Sequence, residues 1–200
     1  MATQVGLDRQ TVIEAAAAMA DDEGLASLTL AALAQRLGIR SQSLYAHVDG
    51  LDGLHHDLAL HGIRLIHDDL REAVVGRSGR DALYAIAQAH IDFARRHPGV
   101  YQATVGRSRD DELLAALIRA AEPFERVIQS FGADGEDVAH AHRAFWSAIH
   151  GFVSLEAAGL TRGPAPTDET VRRIVAMFAD ALENDGGSLR PGTKKERRSL

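Results

Sequence analysis

Apolar residues recur at spacings of three and four along almost the whole 200-residue sequence. Leu51, Leu54, Leu58 and Leu65 show the pattern, which places side chains on one face of a helix with 3.6 residues per turn. The alternation of apolar and polar residues that marks a half-buried strand is not found. We therefore predict an all-α protein of about nine helices, in which the first three are short.

Capping residues and turn residues divide this pattern into separate helices. Asp8 and Gly24 bracket the first helix, and Thr29 and Gly38 bracket the second. Ser41 is predicted to cap a third helix that runs to about residue 47. Later helices are predicted at 49 to about 75, 80–97, 100–106, 110–131 with a bend near Pro123, 134–158, and 167 to about 183.

Composition excludes several classes of protein. The sequence contains no cysteine, so disulfides and thiolate metal sites are excluded. It contains no long uncharged apolar run and no basic-then-apolar leader, so we expect a cytoplasmic protein without a membrane partner. Phosphate-loop, dinucleotide-binding and zinc-protease motifs are missing as well. We expect no cofactor, no metal and no enzymatic activity.

Residues 28–48, LTLAALAQRLGIRSQSLYAHV, have the pattern of a helix-turn-helix. A short amphipathic helix ends at Gly38, Ile39 fills the angle, and a second helix opens with polar side chains. Leu44 and Val48 are four residues apart, so one face of this second helix packs while its leading end stays polar. The alternative interpretation is that this helix–glycine–helix segment is only a turn between two packed helices, which is common in all-helical proteins, and does not bind DNA.

The polar leading end suits contacts to base edges in the major groove. Arg40 could bind guanine and Gln42 could pair with adenine through two-point contacts, while Ser41 and Ser43 are permissive. Three further side chains are placed for phosphate contacts, which position a protein without reading sequence: Thr29, Tyr45 and His47.

This segment resembles the DNA-binding domain of the TetR family of bacterial regulators. The matching residues are Thr29-Leu30, Ala34, Leu37-Gly38-Ile39, Ser41, Ser43-Leu44-Tyr45 and His47, with the aspartates before Leu54. The resemblance implies a helix-turn-helix domain at 1–49, an effector-binding and dimerisation bundle of about six helices at 50–185, and a basic tail at 186–200 that we predict to be disordered. Trp146, His150 and Gly151 resemble a Trp…His-Gly subgroup of the family.

Two positions depart from the family pattern. Val48 stands where an aromatic residue is common, and Leu51 stands where a lysine often begins the fourth helix. Loss of that lysine removes an expected phosphate contact. Residues 1–55 also carry only three arginines against seven acidic residues. We therefore expect fewer charges to contribute to DNA affinity.

Aromatic and imidazole side chains on the apolar faces are candidates for an effector pocket. The candidates are His61, Leu65, His90, Phe93, Tyr101, Phe124, His142 and Phe145. The alternative is that each histidine is an ordinary core residue with a hydrogen-bonded ring. The absence of clustered lysine or arginine among these candidates predicts a neutral, apolar effector.

The predicted helix at 134–158 is apolar on two faces and so needs two partners. One bundle could cover both faces. The family resemblance favours a homodimer built from this helix and the last one, through Trp146, His150, Val153, Ile174 and Phe178.

Together these features predict a homodimeric, sequence-specific regulator that binds double-stranded operator DNA, and a repressor released by a small apolar molecule. Two alternatives stay open. One is a helical small-molecule-binding protein or enzyme whose N-terminal corner is only structural. The other is an architectural DNA-binding protein without a ligand.

Overall fold

The structure, a computed structural model, describes residues 7–106 and 110–184, and these residues contain nine α-helices and no strand. The all-α prediction is therefore confirmed. The helices are α1 (Arg9–Glu23), α2 (Leu30–Leu37), α3 (Ser41–Leu44), α4 (Gly50–Ala73), α5 (Gly79–Arg96), α6 (Pro98–Val105), α7 (Asp111–Gln129), α8 (Gly135–Ala157) and α9 (Thr167–Asn184). The predicted basic tail at 186–200 lies outside the described residues. Within the described part of the chain, no helix is long and apolar enough to cross a membrane.

Local capping chemistry sets the ends of the first two helices. The Asp8 carboxylate accepts a hydrogen bond from the Thr11 N–H at 2.7 Å, and the Thr29 hydroxyl accepts one from the Ala32 N–H at 3.1 Å. Gly38 has φ of 68°, in the left-handed region where a glycine is favoured at a helix end. The predicted boundaries here are confirmed.

The third helix is shorter than predicted. It ends at Leu44, and the N–H groups of His47 and Val48 both donate to the Leu44 carbonyl in a following turn. The prediction that Ser41 caps this helix is wrong. Arg40 occupies the capping position with an extended backbone, and no side chain caps the helix.

The chain divides into two compact units. The first contains the described residues up to Glu72 together with Gln88–Ala121, and the second contains Ala73–Ala87 with Glu122 onward. In this division α1 to α3, and α4 as far as Glu72, belong to one unit, and the functional boundary at residues 49–50 stays a prediction. The assignment of residues 50–185 to effector binding and dimerisation stays a prediction.

Two glycines allow helices of the first unit to approach α6 closely. A Cβ on Gly99 would stand 2.0 Å from the carbonyl oxygen of Ala20 in α1. A Cβ on Gly62 of α4 would stand 2.7 Å from side-chain carbons of Val100 and Thr104. Helix α6 is therefore in direct contact with both α1 and α4, and no larger side chain fits at either crossing without displacement.

The second unit is built around an aromatic cluster. The ring centroids of Phe124 and Phe145 are 4.8 Å apart, and Phe145 meets Phe178 edge to face at 5.2 Å. At the surface of this unit, the Arg80 guanidinium pairs with Asp180 and Glu183 of α9. These contacts join the start of α5 and the end of α7 to α8 and α9.

Candidate nucleic-acid interface and ligand-binding residues

The start of α3 is a polar, exposed surface held in place by two buried anchors. Leu44 is fully buried and Val48 is buried at 4% exposure. Ser41, Gln42 and Ser43 are all exposed. This single helical turn therefore presents three neutral polar side chains to solvent, as the sequence pattern predicted.

The side chains predicted to touch phosphates surround this turn. Tyr45 is 62% exposed, which is unusual for an aromatic residue and leaves its hydroxyl accessible. Thr29 is exposed, and its hydroxyl accepts from Ala32, so its hydrogen remains available to a phosphate oxygen. His47 is half-buried. Hydrogen bonds from Thr11 are the main reason that the pKa of the nearby Asp8 carboxylate is lowered, and an electrostatic interaction with His47 acts in the same direction.

The three arginines near this surface differ in their surroundings. Arg9 binds the buried carboxylate of Asp57 through two hydrogen bonds of 3.0 and 2.6 Å. Arg36 pairs with Asp22 at 2.7 Å and Glu23 at 3.3 Å. Arg40 is exposed and forms no ion pair with any residue that the structure describes.

The eight predicted pocket residues are distributed between the two units. His61, Leu65, His90, Phe93 and Tyr101 belong to the first, and Phe124, His142 and Phe145 to the second. Their joint contribution to one pocket stays a prediction.

In the first unit, His90 and Tyr101 form a buried polar pair. The His90 Nε2 and Tyr101 hydroxyl lie 3.2 Å apart, and their rings meet edge to face. Burial raises the pKa of Tyr101 well above its ordinary range, so the phenol stays neutral. Phe93 is buried beside His97, with ring centroids 5.2 Å apart.

His61 and Leu65 are half-buried on α4. Burial lowers the pKa of His61, and the neighbouring charge of Arg64 lowers it further. Asp21 and His97 also interact electrostatically with this imidazole. His61 therefore lies near the junction of α1 and α6.

In the second unit, His142 lies against the aromatic cluster, with its ring 5.3 Å from that of Phe124. Burial lowers its pKa, and an opposing effect comes from Glu125. The neutral imidazole thus shares an apolar environment with Phe124 and Phe145. These three predicted pocket residues therefore lie side by side, and their role in binding an effector stays a prediction.

The predicted dimer residues retain partly exposed surface. Trp146 and His150 are half-buried and stack in parallel, with centroids 5.0 Å apart. Ile174 and Phe178 are also half-buried, whereas Val153 is buried within the chain. Sequence reasoning missed Leu155, at 50% exposure, and Met177, at 71%, which are the large exposed apolar residues of α8 and α9. A helical projection of these two helices would have found them.

Sequence reasoning also missed Asp21. Its Oδ1 accepts from the backbone N–H groups of Gly99 and Val100 at 2.9 and 3.0 Å, and its Oδ2 lies 2.8 Å from the His97 Nδ1. The carboxylate therefore caps the start of α6 from α1, at the positive end of the helix dipole. Because the partners are more than 70 residues apart, no local pattern indicates this contact. Among residues 7–106 and 110–184, no group of three histidine or acidic side chains could hold a metal ion.

Comparison with known proteins identifies the family. Residues 83–178 match the family model described as the tetracyclin repressor-like, C-terminal domain. An uncharacterized HTH-type transcriptional regulator of Mycobacterium tuberculosis is 38% identical over 180 residues, spanning 88% of this chain and 82% of that protein. One from Bacillus subtilis is 31% identical over 162 residues, spanning 78% and 82% respectively.

A similar fold occurs in the crystal structure of TetR-Q116A from Acinetobacter baumannii in complex with minocycline. It superposes with a TM-score of 0.69 at 22% identity, covering 89% of this chain and 97% of that one. The fold and these relatives define a transcriptional regulator. The chain belongs to the TetR family.

Proposed function

We propose that this protein binds operator DNA through the exposed start of α3 and the phosphate-contacting side chains around it. The observation that carries the proposal is the contrast within one helical turn, where Leu44 is fully buried while Ser41, Gln42 and Ser43 are exposed. A rigidly anchored helix end with small polar side chains suits direct reading of base edges in the major groove. This is a binding function without catalysis.

We further propose that the protein acts as a homodimer through α8 and α9. The half-buried Trp146 and the exposed Leu155 and Met177 support this arrangement, because apolar side chains gain stability when a partner covers them. A dimer would place two copies of α3 in successive major grooves, about 34–36 Å apart or a multiple of that distance.

The proposed role is that of a repressor released by a small, neutral, apolar molecule. The matched family model is described as repressor-like, and one structural relative is a complex with minocycline. The candidate ligand-binding residues are aromatic or imidazole side chains, and burial lowers the pKa of both His61 and His142. An environment that favours neutral imidazoles favours a neutral ligand over a phosphorylated one.

The packing of α6 supports a route from ligand to DNA. Helix α6 contacts α4 at Gly62 and is capped by Asp21 of α1. A shift of α6 would therefore displace two helices of the unit that contains α3. A ligand acts only through its different affinity for the DNA-bound and free conformations, typically about 1–3 kcal/mol of coupling.

The experiment begins by measuring binding of the full chain to duplexes from beside its own gene, with a shuffled duplex as control. A metabolite panel screened by thermal shift then supplies a ligand, and operator affinity is measured with and without it. We expect specific binding that weakens at least about fivefold with ligand. Absence of specific binding overturns the proposal of operator binding, while binding that no stabilising ligand alters overturns the proposal of induction.

A His61→Leu variant refines the ligand test. It should change the ligand response while operator affinity without ligand stays within a few-fold of wild type. Tyr84→Phe, a substitution on α5 at a residue outside the predicted pocket set, is the control and should change neither property.

A further inference from the structure

The arginines near α3 are not equally available to DNA. Residues 7–55 contain three arginines, no lysine and seven acidic residues. Affinity for the phosphate backbone depends on cations that are free to replace counterions on DNA. An arginine without an acidic partner among the described residues is therefore the one most available to DNA.

Arg9 forms an ion pair with a buried carboxylate, that of Asp57. Asp57 is only 5% exposed, and both of its oxygens accept from the Arg9 guanidinium. If Arg9 turned to a phosphate, Asp57 would be left as an unpaired buried charge, which is strongly unfavourable. Arg9 therefore forms a salt bridge that links α1 to α4.

Arg36 lies between two carboxylates, those of Asp22 and Glu23. All three side chains are at the surface, so each pairing is weak and screened by solvent. The local charge is nevertheless negative, because two acidic groups surround one cation. A phosphate at this position would be repelled by the pair of carboxylates as much as it is attracted by Arg36.

Arg40 differs from both. It is exposed at the capping position before α3, directly before Ser41, Gln42 and Ser43, and it has no ion-pair partner among the described residues. The acidic residues Asp49 and Asp52 that follow the turn are exposed. The surface around α3 thus combines one available cation with neutral hydrogen-bonding groups in an acidic setting.

We propose that this surface binds its operator with an ionic component of about one cation per protomer, Arg40, and that neutral hydrogen bonds supply most of the rest. The proposal rests on the proposed function. It predicts that the protein discriminates its operator from bulk DNA strongly, because non-specific binding depends almost entirely on phosphate electrostatics.

The test is the salt dependence of binding by the full-length protein. A 30-bp duplex is enriched by the protein from a random library, and its affinity is measured by fluorescence anisotropy at several KCl concentrations at pH 8, where histidine charge contributes little. For a dimer with about two ionic contacts, the logarithm of affinity should fall with the logarithm of salt with a slope of about −2. Between 50 and 200 mM salt this is a loss of about tenfold.

Matched arginine variants identify the cation. Arg40→Gln should bring the slope close to zero, whereas Arg36→Gln should leave it unchanged. A wild-type slope of about −5 or steeper, including one supplied by the basic residues of 186–200, overturns the inference. Equal effects of the two variants overturn it as well. If no duplex is enriched at any salt concentration, the proposed function itself fails.

Discussion

Asp21 in α1 accepts a hydrogen bond from the backbone N–H of Gly99 in α6 at 2.9 Å, across 78 residues of sequence. The same oxygen accepts from Val100, and the other oxygen faces the imidazole of His97. The side chain of Asp21 is only 15% exposed. One carboxylate therefore accepts hydrogen bonds from two N–H groups at the start of α6 that have no acceptor within their own helix.

Asp21→Ala should lower the free energy of unfolding by about 1–3 kcal/mol, because it leaves the two N–H groups at a partly buried site without a partner. Urea unfolding followed by circular dichroism measures the change. Asp22→Ala is the matched control, since its carboxylate pairs with Arg36 at the exposed surface, and it should cost less than about 1 kcal/mol. Equal losses in the two variants would show that the cap on α6 contributes no more to the free energy of unfolding than a surface ion pair does.

Gly99→Ala should destabilise the protein by at least about 1–3 kcal/mol, because the added methyl group would stand 2.0 Å from a backbone oxygen of α1. Gly163→Ala provides the comparison, since a Cβ there has nothing within 4 Å, and its effect should stay within about 0.5 kcal/mol. Thermal unfolding of both variants is the measurement. A fully stable Gly99→Ala protein would mean that α1 and α6 are not in contact as described.

Gln42→Ala and Tyr45→Phe separate base reading from phosphate positioning. Gln42→Ala should cost about 1–3 kcal/mol per half-site and relax the preference at one base pair. Tyr45→Phe should weaken binding to all duplexes alike, because a phosphate contact reads no sequence. Affinities for a set of single-base variants of the operator distinguish the two effects, and the same loss of specificity from both substitutions would contradict the assigned roles.

Met177→Glu should convert the proposed dimer into monomers, because it places a charge in the apolar interface that a second copy of the chain would cover. Met177 is preferable to Phe178, whose ring packs against Phe145 and contributes to folding of the chain itself. Ile118→Glu on α7 is the control, because Ile118 is similarly exposed, at 63% against 71% for Met177. Sedimentation of Met177→Glu as a dimer would place the interface elsewhere.

Stability should fall as the pH drops from about 7 to 5.5. Burial lowers the pKa of His142 in the folded protein, so the unfolded chain binds more protons in this range and unfolding is favoured. His61 and His150 have pKa values lowered for the same main reason and act in the same direction. This contribution is fully present above the pKa of an unfolded histidine and is lost as the pH falls below it.

The His142→Gln variant isolates one of these groups. It removes the imidazole while keeping a polar side chain, so its unfolding free energy should depend less on pH between 7 and 5.5 than that of the wild type. Urea unfolding at both pH values is the measurement. An unchanged pH dependence would mean that His142 titrates alike in the folded and unfolded chains.

The sequence by itself determined where most helices begin and end. Asp8, Thr29 and Gly38 act on backbone groups within three or four residues, so their effect can be predicted from local spacing alone. The exposed start of α3 follows in the same way from the apolar anchors Leu44 and Val48. The all-α class and the family resemblance both depend on these local signals.

Only the tertiary structure decided which distant groups meet. Asp21 caps a helix 78 residues away, Asp57 binds Arg9 across 48 residues, and His90 lies within hydrogen-bond distance of the Tyr101 hydroxyl. The early end of α3 at Leu44 likewise departs from the local pattern. The physical reason is that buried polar groups must find hydrogen-bond partners, and the partner depends on which helices the folded chain brings together.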